Sequence, residues 1–111
     1  MRICLLAGEI FAYGKYGGFG RATRCLGGEL VRRGHEVCAI VPRRRRQGPR
    51  ETLDGMTVWS YPRYLPLWVF PLCRACRAEV YHSQEPSLST WLAMQARPRS
   101  RHVITFRDTR D

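Results

Sequence analysis

Gly14, Gly17, Gly18 and Gly20 fall within seven residues, between an apolar run, Ile3 to Ala7, and an amphipathic run that ends at Arg33-Gly34-His35. Glycine tolerates positive φ and lets a backbone approach a ligand closely. A strand, a glycine-rich turn and a helix in succession set free N–H groups at a helix N-terminus, and that arrangement suits a phosphate or another anion. Gly18-Phe19-Gly20-Arg21-Ala22-Thr23 matches the first two glycines of the dinucleotide fingerprint and puts Thr23 at the third. The loop from Gly8 to Phe19 is longer than a dinucleotide turn, so a nicotinamide cofactor is disfavoured. A turn with no ligand is the competing reading, and the strand–loop–helix context favours the anion site.

Other reactive groups are sparser. The five cysteines are Cys4, Cys25, Cys38, Cys73 and Cys76. An odd count, with Cys4 and Cys38 inside apolar runs, argues against a disulfide framework. Cys73-Arg74-Ala75-Cys76 has the spacing of half a zinc site or a redox motif, but no second ligand pair or nearby His completes it. We expect two small apolar residues near one helix face and no metal site. His82, at a strand end, is either a cleft residue or a backbone-bonded one.

The elements that position these groups follow from hydrophobic patterning. Ile3 to Ala7 reads as a buried central strand. A helix from about Gly20 to Arg33 carries Ala22, Thr23, Leu26, Gly27, Leu30 and Val31 on one half of its wheel. Gly27 on that half implies close helix–sheet packing, and Gly34 stands where a C′ glycine belongs. Val37 to Val41 is a second strand, ended by Pro42. Arg43 to Arg46 opens a basic connector, most simply a solvated loop and alternatively a phosphate or lipid-headgroup contact. Asp54-Gly55 signals a turn before a third strand, Met56 to Tyr61. Pro62, Pro66 and Pro71 preclude one long helix and leave a short one around Leu72 to Arg77. A fourth strand covers Val80 to His82. A helix after Pro86 is expected to bury Leu88, Trp91 and Leu92 and to stop before Pro98; His102 to Phe106 is a fifth strand. The alternation predicts an α/β, Rossmann-like parallel sheet in order 3-2-1-4-5, with helices on both faces. No helix follows the last strand, so the fold is expected to continue beyond residues 1–111.

Length allows one small domain or part of a larger one. No apolar run is long enough to span a bilayer. The first residues lack a cleavage site and are too short in their apolar run for a secretion signal, so a cytoplasmic protein is expected. The net charge of +10 favours anionic partners, unless it reflects only a codon preference for Arg.

Three segments together resemble the N-terminal half of a retaining GT-B glycosyltransferase of the group 1, family 4 type. They are the opening strand with Gly17-Gly18-Phe19-Gly20-Arg21, then Leu30-Val31-Arg32-Arg33-Gly34-His35-Glu36-Val37, then Val80-Tyr81-His82-Ser83-Gln84-Glu85-Pro86. The resemblance implies an acceptor-side domain facing a second, missing C-terminal domain that grips most of the nucleotide-sugar. It implies that Gly17, Gly18, Gly20 and Arg21 form a donor-phosphate loop. It places Glu9, Gln84, Glu85 and Asp108 in the acceptor cleft, and His82 and Arg107 as catalytic candidates. No metal or cofactor is implied; the donor is itself a substrate. The acceptor is a sugar or a lipid, and a peripheral contact with anionic membrane fits the charge. Many family members carry a His after the fifth strand. Here Thr105-Phe106-Arg107-Asp108 puts Arg in that place, which cannot act as a general base but can hold a phosphate or carboxylate.

A basic α/β domain that binds nucleic acid or phosphate without catalysis is the alternative. It lacks a zinc-finger, helix-turn-helix or aromatic sheet signature, so no specific nucleic-acid partner is expected.

Overall fold

The computed structural model describes residues 1–6, 17–42, 50–62, 65–83 and 88–104, with only the backbone of 17–22. Strand β1 (Arg2–Leu6) leads to helix α1 (Gly17–Arg32) and strand β2 (Glu36–Pro42). Strands β3 (Arg50–Leu53) and β4 (Met56–Tyr61) follow, then a 3-10 turn (Pro66–Trp68), helix α2 (Val69–Cys76), strand β5 (Val80–Ser83), helix α3 (Leu88–Ala96) and strand β6 (Arg101–Ile104).

The sheet order is β3-β4-β2-β1-β5-β6. Its five parallel strands have the expected 3-2-1-4-5 order, with β1 pairing in parallel with both β2 and β5. The sequence reading missed β3, which pairs antiparallel with β4 at the edge. Asp54 (φ +52°) and Gly55 (φ +84°) form the two-residue connection, and positive φ at both central positions is what a type I′ hairpin turn requires.

Each face of the sheet has its own core. Ile3, Leu5, Val37, Ala39, Val41, Met56 and Val58 form one, against Leu26, Leu30 and Val31 of α1. Cys4, Cys38, Ile40 and Tyr81 belong to the other, with Val69 and Cys73 of α2 and Leu92, Ala93 and Ala96 of α3. This two-sided cover is why β1 and β2 read as unbroken apolar runs rather than alternating ones.

Helix α1 starts at Gly17 rather than near Gly20. It ends as expected: Gly34 adopts φ +90°, its N–H donates to the Val31 carbonyl at 3.0 Å, and the His35 N–H donates to the Leu30 carbonyl at 3.1 Å. These two bonds make a Schellman cap, which satisfies carbonyls the helix cannot pair internally. Helix α2 starts three residues earlier than expected.

Helix α3 corrects the expected buried stripe. Leu92 is buried, but Leu88 and Trp91 are 47% and 56% exposed. The buried positions are instead Thr90, Leu92, Ala93 and Ala96. Two alanines on that side bring the helix close to α2 without bulk, and the larger side chains turn outward.

Candidate functional site

In an open α/β sheet, ligands bind outside the carboxyl ends of the strands, where the strand order reverses. Here that switch point lies between β1 and β5, whose last paired residues are Leu6 and Ser83. Chain direction brings α1 to the same edge, because it follows β1 and returns to the start of β2.

The first N–H groups of a helix have no partner within it, and in α1 these include those of Gly17, Gly18 and Phe19, with Gly20 next in the same turn. The glycines expected in a loop therefore sit in the first helical turn, which has no acidic residue. Those N–H groups and the positive end of the helix dipole act together on an anion. Arg21 is the next residue of α1.

His82 lies on β5 in register with Leu5 of β1 and Val103 of β6, and is half-buried. Strand alternation sends Tyr81 and Ser83 toward α2 and α3 and His82 toward the α1 side of the sheet. The structure thus brings His82 and the start of α1 to one face and one end of the sheet. Glu9, Gln84, Glu85, Arg107 and Asp108 lie outside the described residues. In the sequence they follow β1, β5 and β6 within a few positions.

Tyr61, the last residue of β4, was not singled out from sequence. Burial raises its phenol pKa, and the Ser89 side chain at the start of α3 hydrogen-bonds it. That bond ties the first turn of α3 to the same carboxyl edge.

The chemistry of the opposite edge is different. A cavity of about 540 Å³ is lined by Arg74, Glu79, Arg97, Arg99 and Arg101. A second, of about 420 Å³, is lined by Arg2, His35, Cys38, Trp59 and Cys76. Both sit where strands begin, away from the switch point. Arg2 pairs with Glu36 at 2.9 Å there, an exposed ion pair.

A family model described as a glycosyl transferase 4-like domain matches residues 17–111. The chain belongs to that family. No curated protein matches the chain. Membership accounts for the Rossmann-like sheet, and a glycosyltransferase takes a sugar donor and an acceptor. The switch point directs attention to the carboxyl edge rather than to the cavities at the amino edge.

Proposed function

We propose that this glycosyl transferase 4-like domain is the acceptor-side half of a retaining GT-B enzyme that uses a nucleotide-sugar donor. The observation that carries the reading is the convergence of the α1 N-terminus and the β5 terminus at the switch point between β1 and β5. The donor diphosphate is held by the N–H groups of Gly17, Gly18 and Gly20, with the Arg21 and Arg107 charges available to it. As the bond between the anomeric carbon and the phosphate oxygen breaks, negative charge grows on the diphosphate. Fixed donors aimed at that charge stabilise it without reorganising. The acceptor oxygen bonds to the anomeric carbon from the same face, and its proton passes to the departing phosphate. His82, Glu9, Gln84, Glu85 and Asp108 orient the acceptor on the sheet's carboxyl edge. This scheme needs no metal or further cofactor. A C-terminal partner domain supplies the remaining grip on the nucleotide, so the 111 residues alone are expected to transfer no sugar.

The same reading places the protein in the cytoplasm, in peripheral contact with an anionic membrane that presents the acceptor. Leu65, Leu67 and Trp68 are each at least half exposed, as is Trp91. The 3-10 turn that carries two of them packs against α3. An aromatic and aliphatic surface on a chain of net charge +10 suits an interface of lipid headgroups.

The test is transfer of labelled sugar from a panel of nucleotide sugars by the longest natural product of the gene. Transfer from one donor that falls at least about tenfold in Gly18→Val, with the melting temperature preserved, supports the reading. No transfer from any donor, or equal turnover in the variant, contradicts it.

A further inference from the structure

Three thiols that the sequence separates widely converge beneath the α2 side of the sheet. Cys4 and Cys38 are directly paired residues of adjacent parallel strands, so their side chains emerge side by side on one face. Cys76, in the last turn of α2, descends onto them. The Cys38 and Cys76 sulfurs are 3.2 Å apart, and all three sulfurs lie within 4.8 Å of one another. Cys4 is fully buried, and Cys38 and Cys76 are each 8% exposed.

We propose that Cys4, Cys38 and Cys76 form a three-thiolate site for one soft, thiophilic metal ion, copper(I). With metal–sulfur bonds of about 2.3 Å, three sulfurs around one ion in a plane stand about 4.0 Å apart. Cys38 and Cys76, at 3.2 Å, stand closer than that, and no pair of the three is more than 4.8 Å apart, so small side-chain rotations complete the site. Thiolate sulfur selects soft ions. Three converging sulfurs suit copper(I), whereas structural zinc asks for a fourth ligand.

Access and charge also fit. Cys38 and Cys76 line the cavity of about 420 Å³ at the amino edge, with Arg2 and His35 on its wall, so an ion has a polar way in. Arg2 donates from Nη1 to the Cys76 carbonyl at 3.4 Å, which sets a cation beside sulfurs that must become anionic. Each thiol proton is released to solvent as its sulfur binds the ion, so affinity rises with pH. Cys73, one turn earlier on α2, is equally buried but stands outside the trio, and Cys25 is exposed.

The experiment titrates the reduced full chain with copper(I) against a chromogenic copper(I) chelator. The expected result is one ion per chain, retained in Cys25→Ala and Cys73→Ala. Cys38→Ala and Cys76→Ala should each lose affinity about a hundredfold or more, beyond what outer-shell changes cost. Cys73→Ala controls for damage to a buried cysteine on the same helix. X-ray absorption of the loaded protein, independent of the variants, should show a shell of three sulfurs. Failure to compete for copper(I), unchanged affinity in Cys38→Ala, equal loss in Cys73→Ala, or a two-sulfur shell would each overturn the proposal. So would a Cys38–Cys76 disulfide that persists in the reduced, folded protein.

Discussion

Gly27 of α1 and Met56 of β4 fit together only because Gly27 has no side chain. A β-carbon at Gly27 would overlap the Met56 sulfur, and would stand 2.9 Å from Met56 Cε and 3.3 Å from Leu5 Cδ1. Met56 is fully buried and cannot swing into solvent. Gly28, its neighbour, would place a β-carbon no nearer than 3.7 Å to Arg32 Nη1. The two glycines should therefore respond oppositely to alanine. Gly28→Ala is expected to stabilise by up to about 1 kcal/mol through helix propensity. Gly27→Ala has the same propensity gain but forces the core apart, at a cost of about 1–3 kcal/mol, and should be destabilising on balance. Urea unfolding of both variants checks this; equal shifts would contradict the packing.

The β3–β4 turn has a similar constraint. A β-carbon at Gly55 would come within 2.8 Å of Val31 Cγ1, at a backbone φ of +84°. Gly55→Ala should cost about 1–3 kcal/mol from backbone strain alone, with more from the clash. Asp54 is held by Arg24 of α1 at 2.7 Å, which lowers its pKa. That contribution is present above the ordinary carboxylate range and fades as pH falls through the lowered value. Arg24→Gln should flatten the acid limb of stability slightly, measured as melting temperature against pH.

Tyr81 organises the chain reversal between α2 and β5. Its hydroxyl donates to the Cys73 carbonyl at 2.6 Å and accepts from the Ala78 N–H at 3.2 Å. Its ring stacks on His102 of β6, with centroids 5.4 Å apart. Tyr81→Phe keeps the stack and strands two buried polar groups, for a loss of about 1–3 kcal/mol. Burial also raises the Tyr81 phenol and pushes the Cys73 thiol up to about 12. A raised acid contributes stability in full below its unfolded pKa, about 8.5 for cysteine and 10 for tyrosine, and loses it as pH climbs toward the folded value. Stability should thus fall from about pH 9 upward. Tyr81→Phe should weaken the tyrosine part of that slope; an unchanged alkaline limb would contradict the burial of the phenol.

β1 and β2 were legible because two-sided burial leaves unbroken apolar runs, and β4, β5 and β6 because short runs of β-branched and aromatic residues are set off by turn residues or a helix. The Gly34 cap and the close approach at Gly27 were legible for equally local reasons. β3 escaped because Arg50-Glu51-Thr52-Leu53 is an edge strand with two exposed and two half-buried residues. Asp54-Gly55 was the available signal, since a two-residue turn of that type requires a strand on both sides. Trp91 was misplaced because a short helix backed by alanines buries its small residues. The thiol cluster was not legible, because Cys73 and Cys76 read as a self-contained pair. Only the register of β1 on β2 and the docking of α2 bring Cys76 to Cys4 and Cys38.

Charge should govern any association with nucleic acid. The chain carries +10 and no base-reading scaffold has been found among its motifs. Binding to unrelated DNA sequences should be equal, and should weaken steeply as salt rises. Vesicles containing anionic lipid should bind more tightly than neutral ones, and Trp68→Ser should reduce the binding that survives added salt. Sequence-selective DNA binding at physiological salt would contradict the glycosyltransferase reading in favour of a nucleic-acid module.

The most direct measurement of the central claim is a map of backbone amide shifts in the labelled chain as a nucleoside diphosphate is added. Weak binding is expected, with the largest shifts at Gly17, Gly18 and Gly20 and smaller ones at Ser83. Shifts that cluster instead around Arg74, Arg97 and Arg101 at the amino edge, or none at the start of α1, would contradict it.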